Sequence, residues 1–321
     1  MPLPRLGFTA VAIFSGLAAF WLFLYVFCGG LLLQRALHGS GRPEMASDDF
    51  RISPVMRLAL HEPVPEVTPG LLAWRTLAPG YEVAELPVMM GSREVDRFEL
   101  NRIDTQRYRF SVQTQAAQKW TIDDWEHHLP TAALIVNGSF FGPNRGPDTP
   151  VLSNALLMGP RPYDAKAGAF VAGSKTGVVD LTTGSDWTKV FAGTHDAMVA
   201  YPLLIGEDGQ THVTRKSRWL ANRTFVGEDR AGHIIVGSTR EAFFSLDREA
   251  AFLKAAPLDL KTALNLDGGP VACQSVRVGG FHRRHVARWE AQVNGNRVRL
   301  LNQAVWQSDM PIVLVATPAG Q

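Results

Sequence analysis

Cysteine is almost absent from this chain: Cys28 and Cys273 are the two among 321 residues. Cys28 falls inside a long apolar run, which argues against its meeting Cys273 in a disulfide. The fold therefore has to stand on buried apolar surface, which a chain of this length and 46% hydrophobic content can supply. Charge of one sign is also missing: 32 Lys and Arg face 30 Asp and Glu, a formal net charge of +2. That excludes a basic field large enough to drive nucleic-acid binding. No H-E-x-x-H and no paired-cysteine spacing occurs, and Glu126, His127 and His128 are adjacent rather than helically spaced, so no metal site and no cofactor is expected. The one place left open for a hard divalent cation is Asp267 with backbone carbonyls. No G-x-S-x-G surrounds Ser139, which excludes a nucleophile elbow there. Internal repeats and low-complexity blocks are lacking too.

What is present begins with the run Leu6 to Leu33, which contains no Asp, Glu, Lys or Arg. A hydrocarbon core of roughly 30 Å needs about 20 such residues in a helix. The run is longer and bulkier than the apolar part of a cleaved signal peptide, and Phe27 is large where a lipid-attachment cysteine takes a small neighbour. Residues 1–34 are thus expected to form an uncleaved anchor whose partner is the lipid bilayer through residues 6–33. Arg5 lies on one side and Arg35, His38 and Arg42 on the other, so charge does not settle its orientation. Residues 35–70, with Gly39, Ser40, Gly41, Pro43, Pro54, Pro63, Pro65 and Pro69 and one amphipathic stretch at Val55 to Leu60, are expected to be a linker. Residues 71–321 are expected to form the globular domain.

In that domain β-branched and aromatic residues mark strands at Tyr108 to Val112, Ala132 to Val136, Thr211 to Val213, His233 to Gly237 and Ile312 to Ala316. Helices are fewer: Ile122 to His128 behind Thr121, and Ser245 to Ala255 behind a capping serine. The expected class is α+β, a mixed or antiparallel sheet-rich single domain with few helices, preceded by one transmembrane helix.

Three segments carry chemistry-bearing residues. In Ala133 to Gly142 an apolar strand runs into Asn137, Gly138 and Ser139, which either aim an amide into a cleft or form a turn while Phe140 and Phe141 pack the core. In Ala200 to Gly237 two hairpins are expected, Leu203 to Ile205 about Glu207 to Gly209 and Phe225 to Gly227 with Ile234 to Gly237 about Asp229 to Gly232. Arg223, at a strand start, presents a rigid planar fork suited to phosphate oxygens, whereas Arg215, Lys216 and Arg218 are expected to form a solvated loop face. In Thr262 to Gln274 alternation puts Asn265 and Asp267 on one face ahead of Gly268 and Gly269. An aspartate there suits acid, base or nucleophile work, or is merely a turn residue.

Taken together, Asn137 to Phe141, Pro202 to Gly209, Arg223-Thr224, Leu246 to Ala250 and Asn265 to Gly269 resemble the phosphodiester glycosidase domain family, over about residues 130 to 315. That family includes the enzyme that uncovers mannose 6-phosphate and bacterial exopolysaccharide-associated proteins. The resemblance implies hydrolysis of a sugar-1-phosphodiester in an envelope or exopolysaccharide glycoconjugate, with Arg223 holding phosphate and Asp267 acting as base or nucleophile. Asn137 and Asn265 would orient sugar or carboxylate, Ser139, Gly268 and Gly269 would line the substrate site, and His195 would be a second acid or base or a structural histidine. It also implies an outward-facing domain, at a bacterial inner membrane with the C-terminal part in the periplasm or exterior. Two departures stand out: Pro270 and Val271 follow Asp-Gly-Gly where the family has a small residue and then Ser or Thr, and Tyr201 replaces the glycine before Pro-Leu-Leu. The competing readings are a glycan-binding or scaffolding protein without catalysis, and a structural protein in which Asn137, Arg223 and Asp267 lie far apart.

Overall fold

The computed structural model describes residues 6–27, 44–50, 52–163, 167–173, 175–303 and 307–320. Among them the chain is sheet-rich, with five α-helices and four sheets of eight, five, five and four strands, all paired antiparallel where register is defined. The eight-stranded sheet is the middle layer. Its strands Thr224–Asp229, Ile234–Thr239 and Leu260–Asn265 are buried on both faces, which is why they read as continuous apolar runs rather than as an alternation. Phe225, Ile235 and Ala263 face a core that holds Phe98, Phe244 and Phe252. Val226, Val236 and Leu264 face a second core, shared with Leu134, Val136 and Leu314 of a five-stranded sheet. In the first core Phe98 stacks on Phe252 of the helix Leu246–Ala255 at 5.5 Å between ring centroids and meets Phe225 edge-on at 5.9 Å.

The helix Ile122–His128 forms as expected, with a capping box between Thr121 and Asp124. The helix Leu246–Ala255 also forms behind Ser245, but the buried Ser245 Oγ makes no capping hydrogen bond. The hairpin of Thr224–Asp229 with Ile234–Thr239 is present. Thr211 to Val213 is not a strand: Thr211 makes one isolated bridge to Ile205, because the turn closed by Gly206 and Gln210 is followed by chain that leaves the sheet edge.

One N-terminal expectation needs correction. The stretch 44–70 is no free linker. Glu44–Ala46 pairs with Arg297–Gln303, Thr68–Pro69 pairs with Tyr81–Met90, and Met45, Ile52, Met56 and Leu60 are buried in the first core. Its prolines mark turns between apolar anchors, and Ser53 caps the helix Pro54–Ala59 by accepting from the Met56 N–H at 3.1 Å. Leu6–Phe27 is helical, with exposed side chains from Val11 to Phe23. Among the described residues no helix is long and apolar enough to cross a membrane, so the expected transmembrane helix is not found there. Residues 28–33, Cys28 included, lie outside the described residues.

Candidate active site

Asn137 ends the strand Leu134–Asn137, clamped between Gln274–Val278 and Ile312–Pro318. Its Nδ2 donates to the Asp267 carbonyl at 2.7 Å, and the Asp267 N–H donates to the Gly138 carbonyl at 3.0 Å. Those two bonds weld the end of one sheet to the end of another. Gly138 is required at the junction, since a Cβ there would stand 2.6 Å from Ile312 Cγ2.

Arg223 reaches the same place by register. Thr224–Asp229 pairs with Leu260–Asn265 so that Phe225 opposes Asn265, and the Leu266 N–H continues the ladder to the Thr224 carbonyl at 2.9 Å. The same register carried two residues further sets Arg223 opposite Asp267, on the face that Asn265 shares. Gly268 permits the approach: a Cβ there would lie 3.7 Å from Arg223 Nη1 and 3.0 Å from the Asn222 carbonyl oxygen. Gly269, at φ +69°, turns the chain beside Glu290. Asn137, Arg223 and Asp267 are therefore brought together, with Asn265, Ser139, Gly268 and Gly269 around them. His195 is not. It is exposed at the start of Asp196–Ala200, the far end of that strand from Tyr201, whose carbonyl accepts from Asn265 Nδ2 at 2.8 Å.

Arg223 is buried and largely spoken for, its Nε donating to the Phe244 carbonyl at 3.1 Å and its Nη2 to the Trp219 carbonyl at 2.7 Å. Burial lowers its pKa, opposed by the carboxylates of Glu249, Glu290, Asp247 and Asp267. Asp267 keeps part of its surface open and accepts from the Gly268 N–H at 2.8 Å. Desolvation pushes its carboxyl up to about 8; the charges of Glu290 and Asp148 add to the rise, and Arg223 works against it. Three polar atoms of the cluster are buried without a partner: Asn137 Oδ1, Asn265 Oδ1 and Ser139 Oγ. Unmet buried groups cost about 1–3 kcal/mol each, so they are poised for donors brought by a ligand.

Sequence reasoning missed four members of the setting: Asp148 and Glu290, whose charges act on Asp267, Glu249 behind Arg223, and Tyr201, whose ring stacks on Phe140 at 4.3 Å. Glu249 stood in the helix pattern already singled out, and Tyr201 as a departure from the family; Asp148 and Glu290 carried no local signal. Val271 is buried in the turn Gly269–Val271, which packs against Trp289–Asn294 and Arg297–Gln303. Glu126 binds Ser275, His282 and Arg284, while His127 and His128 bond to helix carbonyls, so the three point apart. Among the described residues no group of three His, Cys, Asp or Glu is arranged to hold a metal ion.

Residues 130–293, about half of the chain, match the family described as phosphodiester glycosidase. No curated protein matches. Among solved structures, the crystal structure of a hypothetical protein from Synechocystis is similar at 14% identity and TM-score 0.50, covering 78% of this chain and 64% of that one. This chain thus spans under two thirds of that protein's length. The catalytic domain of zebrafish N-acetylglucosamine-1-phosphodiester alpha-N-acetylglucosaminidase, auto-inhibited by its pro-peptide, is 14% identical, with 89% and 91% of the two chains covered and a TM-score of 0.46.

Proposed function

The chain belongs to the phosphodiester glycosidase family, a family of hydrolases, and from that premise we propose that it hydrolyses a sugar-1-phosphodiester in a phosphate-bearing glycoconjugate of a cell envelope or exopolysaccharide. The bond between the anomeric carbon and the phosphate oxygen breaks, water supplies the sugar's new hydroxyl, and a phosphomonoester departs. The observation that carries this reading is the meeting of Asn137, Arg223 and Asp267 at the joined strand ends, where desolvation raises the Asp267 carboxyl to about 8. A protonated carboxyl meets an anionic diester without repulsion and donates to the leaving phosphate oxygen, so Asp267 works as an acid rather than as the base or nucleophile the resemblance implies. Arg223, fixed by two carbonyls with Nη1 toward Gly268, stabilises the charge that grows on that phosphate. Asn137 and Asn265 spend their Nδ2 donors on backbone, leaving bare Oδ1 acceptors, which suit sugar hydroxyls rather than phosphate oxygens.

The uncharged run Leu6 to Leu33 supports anchoring at a lipid bilayer, with the domain outside the cytoplasm. Retention of the full chain, and release of a chain lacking residues 1–34, in carbonate-washed membranes checks the anchor. For the activity, sugar release from a panel of sugar-1-phosphodiesters is measured for the wild type and Asp267→Asn. Release by the wild type with loss in the variant is expected. Equal release by both rejects the assignment of Asp267, and release by neither favours glycan binding without turnover, the reading to which Val271 in place of a hydroxyl residue points.

A further inference from the structure

Beside the Asp267 cluster lies a cleft of about 470 Å³ lined by Arg215, Lys216, Arg218, Trp219 and Gln292, with Val213, Leu246 and Val293 at its walls. Arg215, Lys216 and Arg218 are exposed on a loop, as expected, and the backbone of that loop is pinned. The Ser217 N–H donates to Asp247 Oδ1 at 3.1 Å, the Trp219 N–H to Ser217 Oγ at 3.1 Å, and the Val293 N–H to the Arg218 carbonyl at 2.7 Å. Arg218 pairs with Glu62 at 3.1 Å, whereas among the described residues neither Arg215 nor Lys216 has an ion-pair or hydrogen-bond partner. Two uncommitted charges are thus held over a concavity by a fixed backbone, an arrangement that favours an anion entering the cleft.

Trp219 joins the cleft to the catalytic cluster. Its carbonyl accepts from Arg223 Nη2, its Nε1 donates to Glu290 Oε1 at 3.0 Å, and the residue as a whole is 41% exposed. An open indole held at one edge is a flat apolar platform of the size of a sugar ring, with its polar handle already satisfied. Resting on the hydrolase reading above, we propose that the cleft is a subsite for the anionic continuation of the substrate. The glycan chain beyond the scissile diester crosses Trp219 and places its next phosphate or carboxylate against Arg215 and Lys216. The protein would then prefer acidic polymers over single sugar-1-phosphodiesters.

The test uses the full chain in neutral detergent with two probes: the methyl diester of N-acetylglucosamine 1-phosphate, and a four-unit oligomer of that sugar joined by 1→6 phosphodiesters. Arg215→Ala/Lys216→Ala should lower kcat/KM on the oligomer tenfold or more, leave the methyl diester within twofold, and abolish the wild type's salt-sensitive preference for the oligomer. The charge-keeping Arg215→Lys/Lys216→Arg variant should retain that preference. Equal losses on both probes, or none on the oligomer, overturn the subsite. Should the wild type cleave neither probe, the hydrolase reading falls, yet calorimetric binding of the oligomer still decides the cleft: tenfold weaker binding in the Ala variant supports it and unchanged binding overturns it. Displacement of the oligomer by equimolar short-chain phosphatidylglycerol would assign the cleft to a lipid headgroup and overturn the glycan assignment.

Discussion

At the scale of single residues, Asp267 is asked to do opposite things. Its surroundings resist its ionisation, and that resistance suits it to acid work. With its carboxyl near 8, kcat/KM should stay level through neutral pH and fall about tenfold per pH unit beyond about 8; a rise over that interval would mark a base instead. Asp267→Asn should lower kcat/KM by about 10²–10⁴. The same raised pKa has a cost for stability. The unfolded carboxyl titrates near 4, so the folded state loses stability as pH climbs from about 4 to about 8, and nothing below that window. Asp267→Asn should therefore be more stable than the wild type by ~1–3 kcal/mol in urea at pH 8, with the two converging at pH 4.

Among the elements, strand ends and the turns behind them set the geometry. The turn after Asp267 depends on Gly269, whose φ of +69° and 3.0 Å clearance from Glu290 Cβ leave no comfortable place for a side chain. Gly269→Ala should cost about 1–2 kcal/mol and lower activity with it. Gly232, at φ +88° with open space around it, is the control. Gly232→Ala should cost about 1 kcal/mol in denaturation and leave kcat/KM unchanged, since its hairpin turn lies away from the Asp267 cluster. The strands flanking these turns were legible because burial on both faces selects β-branched and aromatic runs, as in Ile234–Thr239. Thr211 to Val213 shows the limit: three residues with strand propensity made one bridge to the edge strand Leu203–Ile205 before the chain left that edge.

For the whole molecule, the segment 44–70 changes where the fold begins. Met56 is fully buried with Ile52 and Leu60 in the core shared with Phe98. Met56→Ala should destabilise by about 2–5 kcal/mol in chemical denaturation; a change under about 0.5 kcal/mol would mean the segment is a linker after all. Prolines misled the sequence reading here because they mark turns within a packed strap as readily as they mark an extended tether.

The amino-acid sequence alone determined the sheet-rich class, the helix Ile122–His128, the second hairpin, and the grouping of Asn137, Arg223 and Asp267 as one family's signature, since each is written in local periodicity or short-range motif. Tertiary structure alone decided that Asp148, Glu249 and Glu290 surround that group, that His195 is turned away from it, and that Arg215 and Lys216 flank a cleft next to Trp219. Charges act through space, and residues distant along the chain become neighbours only once sheet register and packing have closed the distance between them.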